Sequence, residues 1–294
     1  MKNYTNCPIC KSTEFSLLKE CKDYTSSSEI FKISACNSCG FAFTNPIPEE
    51  NEIGKYYESD EYISHSNTSK GIINKLYQFV RNITLDKKVN LLKSLTNKRK
   101  LLDIGSGTGE FLNHTQKNGF TVQGIEPSLI GRNNSIKNFN LSVYPEKKLA
   151  EYSENEFDII TMWHVLEHVY HLNERVETIH RILKKDGYLI VAVPNRLSYD
   201  AEKYQEFWAA YDVPRHLYHF RPVDIKTLFE NHSFDVKQIL PMKFDSFYVS
   251  MLSEKYKNEK SKLFKAFLIG LKSNMKSKGL AKFSSQIYIL QKKG

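Results

Sequence analysis

Four of the five cysteines stand in two Cys-x2-Cys pairs, Cys7/Cys10 and Cys36/Cys39, with 25 residues between the pairs. Thiolates at that spacing suit one Zn2+ held tetrahedrally at about 2.3 Å. Pro8 inside the first pair and Gly40 after the second suit tight knuckle turns. Four thiolates leave no open position, so the expected ion is structural. Cys21 lies between the pairs and is expected to stay free.

A second pattern is Asp103-Ile-Gly105-Ser106-Gly107-Thr-Gly109, between an apolar run and a helical one. Glycines let the backbone turn sharply and come close to a ligand, and a helix start offers unpaired N–H groups. Glu126 ends the next apolar run, 21 residues after Gly105. An acid at that place can accept hydrogen bonds from a ribose diol. The pair predicts an adenosine-bearing cofactor. Position 110 is Glu, so the dinucleotide fingerprint G-x-G-x-x-G is not met, and no G-x-x-x-x-G-K-[ST] phosphate loop is present.

Two further segments concentrate proton-handling groups. Trp163-His164-Val-Leu-Glu167-His168 follows a strand-like run. Read literally, His164 to His168 is the H-x-x-E-H of inverted zinc proteases, but a long metal-binding helix and a further carboxylate are not apparent. Trp208-Ala-Ala-Tyr211-Asp212-Val-Pro214-Arg215-His216-Leu-Tyr218-His219 is a Pro-broken loop dense in aromatics and titratable groups. His can accept a proton near neutral pH. The candidate bases are His216, His164, Asp212, His168, Glu167 and His219. His216 leads, with Asp212 expected to orient its ring; His164 is second. Arg215 reads as an anion clamp or a surface charge.

These groups need a frame to hold them. Strand-like runs at Leu101–Ile104, Thr121–Ile125, Leu141–Val143, Phe157–Met162 and Tyr188–Val193 alternate with helical stretches such as Leu172–Lys184. Continuous apolar strands alternating with helices predict an α/β fold, a doubly wound and mostly parallel sheet covered on both faces. Phe234–Leu240 and Gln286–Leu290 bring the expected strands to seven, with a helical insertion at about 247–278. Residues 1–45 read as a zinc-ribbon-like module, 46–98 as a helical linker, and 99–294 as the main domain. Asp245 or Ser246 reads as a helix N-cap.

The runs Leu101-Leu-Asp-Ile-Gly-Ser-Gly-Thr-Gly, Gly124-Ile-Glu-Pro-Ser, Phe157-Asp-Ile-Ile-Thr-Met-Trp-His-Val-Leu-Glu-His and Gly187-Tyr-Leu-Ile-Val-Ala-Val-Pro-Asn resemble class I S-adenosylmethionine-dependent methyltransferases. The front module resembles that of a bacterial branch with four zinc-binding cysteines, whose members often act on sugars, surface-polysaccharide precursors or other small metabolites. The resemblance implies S-adenosylmethionine as cofactor. Asp103, Gly105, Ser106, Gly107 and Gly109 would hold its methionine part, and Glu126, followed by Pro127, its ribose. Leu149 would flank the adenine, though Lys148 stands where the family often has an acid. Trp163 and His164 would border cofactor and acceptor. The 208–220 loop resembles the one that closes over the acceptor.

The net charge of +9 is uneven. Residues 241–294 hold twelve Lys against Asp245, Glu254 and Glu259, and the remainder is neutral. The lysines are dispersed among apolar residues at helical spacing, as on a solvated helix face. The N-terminal residues lack the apolar core of a secretion signal, and no apolar run reaches the ~20 residues of a membrane span. A cytoplasmic chain acting on a small-molecule methyl acceptor is expected, with no nucleic-acid partner. The competing reading is a nucleic-acid (RNA) methyltransferase that uses the module and Lys-rich segment for binding. A non-enzymatic zinc-binding protein is disfavoured by the intact glycine turn and Glu126.

Overall fold

A computed structural model describes residues 1–57, 72–258, 262–277 and 282–293, with 72–79 as backbone only. The linker expectation at 58–71 lies outside the described residues. Three short strands come first: β1 (Phe15–Lys22), β2 (Ile30–Cys36) and β3 (Ala42–Thr44). A 3-10 turn (Ile53–Tyr57) and a long helix α1 (Ile72–Leu95) lead to the main sheet. There follow β4 (Lys100–Ile104), α2 (Glu110–Lys117), β5 (Thr121–Ile125), α3 (Leu129–Phe139), β6 (Val143–Tyr144), β7 (Phe157–Trp163), α4 (Leu172–Ile182) and β8 (Leu183–Pro194). The chain continues through α5 (Tyr199–Tyr204), β9 (Tyr218–His219), α6 (Pro222–Asn231), β10 (Phe234–Pro241), α7 (Asp245–Asn258), α8 (Leu263–Lys276) and β11 (Ser285–Lys292).

The seven-stranded sheet runs β10-β11-β8-β7-β4-β5-β6. Strands β4 to β8 in this sheet pair in parallel, and β11 runs antiparallel to both its neighbours. The central strands are buried nearly end to end, as their unbroken apolar runs require. Strand order reverses at β4, which has β5 on one side and β7 on the other. Open α/β sheets bind ligands at the carboxyl ends of the strands at such a reversal. The glycine turn follows β4, and His164 follows β7.

The structure shifts three predicted boundaries. The third strand is Val143–Tyr144; Leu141 instead packs into the core behind Asn140, whose φ of 53° ends α3. The helix expected to reach Lys184 stops at Ile182, and Lys184-Lys-Asp-Gly187 belongs to β8. There the pairing with β7 is irregular, Lys184 binds Asp158 at 2.7 Å, and a Cβ on Gly187 would meet the Asp158 carbonyl at 2.9 Å. The insertion is two helices, α7 and α8, and α7 begins at Asp245.

The first 45 residues do not fold apart from the rest. β1, β2 and β3 form an antiparallel sheet completed by β9, which pairs Ala42 with His219 and Phe43 with Tyr218. Cys7, Cys36, Phe41 and Phe43 share one buried cluster with Leu102, Met162, Tyr218 and Phe229. The boundary at residue 45 is thus one of chain order and not of packing.

Candidate active site

The glycine turn has φ of 77° at Gly105, 57° at Gly107 and 88° at Gly109, backbone that side chains adopt rarely. A Cβ on Gly105 would collide with Val165, and one on Gly109 would lie 2.7 Å from Ser135 Oγ. A Cβ on Gly107 would meet nothing within 4 Å. Glu126 accepts from the Gly107 N–H and the Ser128 N–H, each at 2.8 Å. Asp103 is buried and accepts from Thr161 Oγ1 at 2.6 Å. Burial pushes its carboxyl up to about 7 against the pull of that hydrogen bond and of Lys88. Lys88, on α1, lays its ammonium over the Trp163 ring at 4.1 Å; burial lowers it to about 8. Ser106 Oγ and Trp163 Nε1 are buried polar atoms without a hydrogen-bond partner.

His164 stands at the end of β7 with φ of 56°. Its Nε2 meets Asp245 Oδ2 at 2.9 Å, and its Nδ1 lies 3.4 Å from Glu167 Oε1. Burial opposes the charged ring, but the two carboxylates prevail and raise it to about 10. The two carboxylates thus favour the charged ring, which counts against His164 as the acceptor's base. Asp245, read from sequence as a helix cap, is its partner from α7. No signal in the sequence joins positions 81 residues apart, and the same holds for Lys88.

Beyond His164, Glu167 is 0% exposed and neither carboxylate oxygen has a hydrogen-bond partner. His168 and His216 stack edge to face with centroids 4.6 Å apart. His168 Nδ1 lies 3.0 Å from the Arg215 carbonyl and from Tyr57 Oη. His216 Nδ1 lies 2.9 Å from the Ala210 carbonyl. That carbonyl, and not Asp212, orients the ring: Asp212 Oδ2 is 3.9 Å from Nε2 and spends its oxygens on Arg215. Arg215 is neither anion clamp nor surface charge. It is 1% exposed, pairs with Asp23 at 2.9 Å and Asp212 at 2.7 Å, and donates to the Tyr56 carbonyl. His219 is held by Thr44 Oγ1 at 3.1 Å, and burial drives its pKa well down.

The cysteine sulfurs of positions 7, 10, 36 and 39 lie within 4.8 Å of one another. Cys7 and Cys39 are 3.6 Å apart, Cys10 and Cys36 3.4 Å, close to the roughly 3.8 Å edge of a tetrahedron with Zn–S bonds of about 2.3 Å. Cys21 stands apart on β1, and burial pushes its thiol up to about 12. Arg221 and Arg196 donate to the Cys39 and Gly40 carbonyls, each at 2.6 Å. Thr44 Oγ1 donates to the His216 carbonyl at 2.7 Å. The module thus braces the loop that carries His216.

A family profile described as a methyltransferase domain matches residues 77–239, more than half of the chain. The chain belongs to the class I S-adenosylmethionine-dependent methyltransferases. An uncharacterised protein of Methanocaldococcus jannaschii is 28% identical over 224 residues, 74% of this chain and 93% of the relative. A ubiquinone biosynthesis O-methyltransferase of Actinobacillus pleuropneumoniae is 31% identical over 110 residues, 33% of this chain and 47% of that relative's length. Among solved structures, magnesium protoporphyrin IX methyltransferase of Synechocystis shares the fold with a TM-score of 0.55 at 12% identity, covering 83% of this chain and 100% of that one. A S-adenosylmethionine-dependent methyltransferase of Archaeoglobus fulgidus gives 0.51 at 20% identity, covering 72% and 94%.

The methyltransferase's own residues fit its cofactor. Gly107 opens into free space, Ser106 and Trp163 present unpaired polar atoms, and Glu126 has spare lone pairs for a diol. Leu149 is buried in the core beside Tyr152, and Pro127 is exposed, its carbonyl accepting from Arg132 at 2.7 Å. Among the described residues, no helix is long and apolar enough to cross a membrane.

Proposed function

We propose that this methyltransferase acts on a small molecule, a sugar-linked or surface-polysaccharide or lipid precursor, at an oxygen or carbon acid. The observation that carries this reading is the enclosure of the acceptor loop. Trp208, Tyr211, His216 and His219 are all under 10% exposed, and the loop's arginine is spent on internal ion pairs. A loop packed into the interior in this way offers no open basic track of the kind a nucleic acid needs, which supports a small acceptor. The similarity to the ubiquinone biosynthesis O-methyltransferase of Actinobacillus pleuropneumoniae supports the same reading.

The cofactor supplies a methyl group already activated on sulfonium. The chain's task is to align an acceptor lone pair with it, exclude water and take the acceptor's proton. With His164 drawn toward its charged form by two carboxylates and His219 tied to Thr44, His216 is the base in this reading, its Nε2 on the side away from the Ala210 carbonyl. Asp103, the glycine turn and Glu126 would hold the cofactor, with Pro127, Leu149, Trp163 and His164 around it. We propose that Cys7, Cys10, Cys36 and Cys39 hold one structural Zn2+; metal analysis giving no stoichiometric zinc would overturn that.

The test is transfer of tritium from labelled cofactor into a cell extract, followed by separation of metabolites from RNA. Label among small molecules is expected. Label confined to RNA would establish the competing reading.

A further inference from the structure

Glu167, His168 and His216 cluster beside His164, with the hydrogen bonds of the two histidines made at Nδ1. Their ligand atoms lie within 4.8 Å of one another, and donors around one ion at about 2.1 Å need separations of roughly 3–4 Å, so small side-chain shifts would close the set. Glu167 is wholly buried and neither oxygen has a hydrogen-bond partner; His164 Nδ1, 3.4 Å from Oε1, is the charged group beside it, and a buried carboxylate so placed is stabilised by a further cation. Both histidine Nδ1 atoms sit against backbone carbonyls, Arg215 O at 3.0 Å and Ala210 O at 2.9 Å. Each Nδ1 therefore carries the hydrogen, and each Nε2 keeps its lone pair on the other side. Outer partners that fix the tautomer in this way are the usual company of metal-bound histidine.

We propose that Glu167, His168 and His216 form a binding site for a first-row divalent cation, separate from the cysteine quartet. Two imidazoles and one carboxylate suit Mn2+, Fe2+, Co2+ or Zn2+. The charged groups facing the site are His164 beside Glu167, Asp245 behind His164, and Asp212 with its Arg215. The Coulombic balance of Glu167, Asp245 and Asp212 against His164 and Arg215 is net negative, as a cation site requires. Three protein ligands leave coordination positions open, the mark of a working rather than a structural site.

The catalytic use of the site rests on the proposed small-molecule reading and sharpens it: the acceptor is an oxygen. Its hydroxyl binds the cation, loses its proton to solvent, and its lone pair forms the O–CH3 bond. The S–CH3 bond breaks with its electron pair left on sulfur, giving a methyl ether and a neutral thioether. With the cation bound, His216 acts as a ligand in place of taking the proton itself, and the cation lowers the hydroxyl's pKa.

The experiment is Mn2+ titration of the full, zinc-loaded chain, followed by electron paramagnetic resonance, with cofactor affinity as a folding control. One saturable Mn2+ per chain is expected, weakened by about 100-fold or more in Glu167→Gln and in His216→Gln, beyond the 10–100-fold typical of an outer partner. Methyl transfer should stop with chelator and return with Mn2+. Absence of saturable uptake, or uptake untouched by both substitutions in variants that still bind cofactor, overturns the site. Saturable Mn2+ together with label confined to RNA would overturn the small-molecule reading and leave the cation site standing.

Discussion

At the glycine turn, Glu126 closes the Gly107 and Ser128 N–H groups onto its carboxylate and keeps lone pairs for a ribose. Glu126→Ala should weaken cofactor binding by about 1.5–3 kcal/mol, the scale of charge-assisted hydrogen bonds. Calorimetry checks this, and parent-like affinity would mean that the ribose sits elsewhere. Asp103 offers a pH test. Burial holds its carboxyl at about 7, so in the free chain it gains charge only as pH rises through neutrality. A cationic cofactor group beside it is held best by the charged form. Affinity should therefore rise from about pH 6 to about pH 8, by at most about tenfold per unit, and Asp103→Asn should flatten the slope. An equal slope in the variant would assign the titration to another group. Glu126 and Asp103 could be singled out as candidates from sequence because a glycine turn and a 21-residue spacing are local signals. Asp245 and Lys88 were not, because their roles arise where α7 and α1 meet the ends of the sheet.

Glycine by glycine, the turn after β4 separates folding from binding. Gly105 is pressed against Val165 and Gly109 against Ser135 and Leu141, whereas Gly107 faces open space. Gly109→Val should lower the melting temperature, since both neighbours belong to α3 and the segment behind it. Gly107→Val should cost only the roughly 1–2 kcal/mol of a left-handed side chain, yet abolish cofactor binding. Thermal melts with and without cofactor separate the two; similar losses of binding and of stability in both variants would count against this division. At this scale the sequence was most readable, because central parallel strands are unbroken apolar runs. It misled at Lys184-Lys-Asp-Gly187, where a sequence that reads as a helix end is held in β8 by Lys184 on Asp158 and by the close approach that only Gly187 permits. It also made the cysteine module look separable, because β9 is two residues long and carries no strand signal of its own.

A buried charge pair adds to the shared core and the β3–β9 pairing that tie the molecule across that seam. Asp23 is 1% exposed and Arg215 1% exposed, so Asp23→Ala removes one of the two carboxylates on a buried guanidinium, leaving Asp212, and should cost about 1–3 kcal/mol by chemical denaturation. A cost under ~1 kcal/mol would mark the pair as no more than a surface contact. Stripping the proposed zinc should leave cofactor affinity in place while turnover falls, with faster hydrogen exchange at residues 212–220, since the Cys39 and Gly40 carbonyls anchor Arg221 and Arg196. The Lys-rich segment was read as a solvated face, and α8 does carry its lysines among exposed apolar side chains such as Phe264 and Met275.

The two-residue strand β9 has a consequence for how such a chain diversifies. The proposed acceptor loop, residues 208–220, and the first 45 residues lie apart in the chain, yet they share one sheet and its hydrogen bonds. Recombination between relatives that cuts anywhere between those stretches would seat one parent's loop on the other parent's cysteine knuckles, with Thr44, Asp23 and the two carbonyl anchors mismatched. New acceptor preferences should therefore travel through a lineage as paired changes at both ends of this gap, and a lone exchange of the catalytic half should arrive poorly fitted.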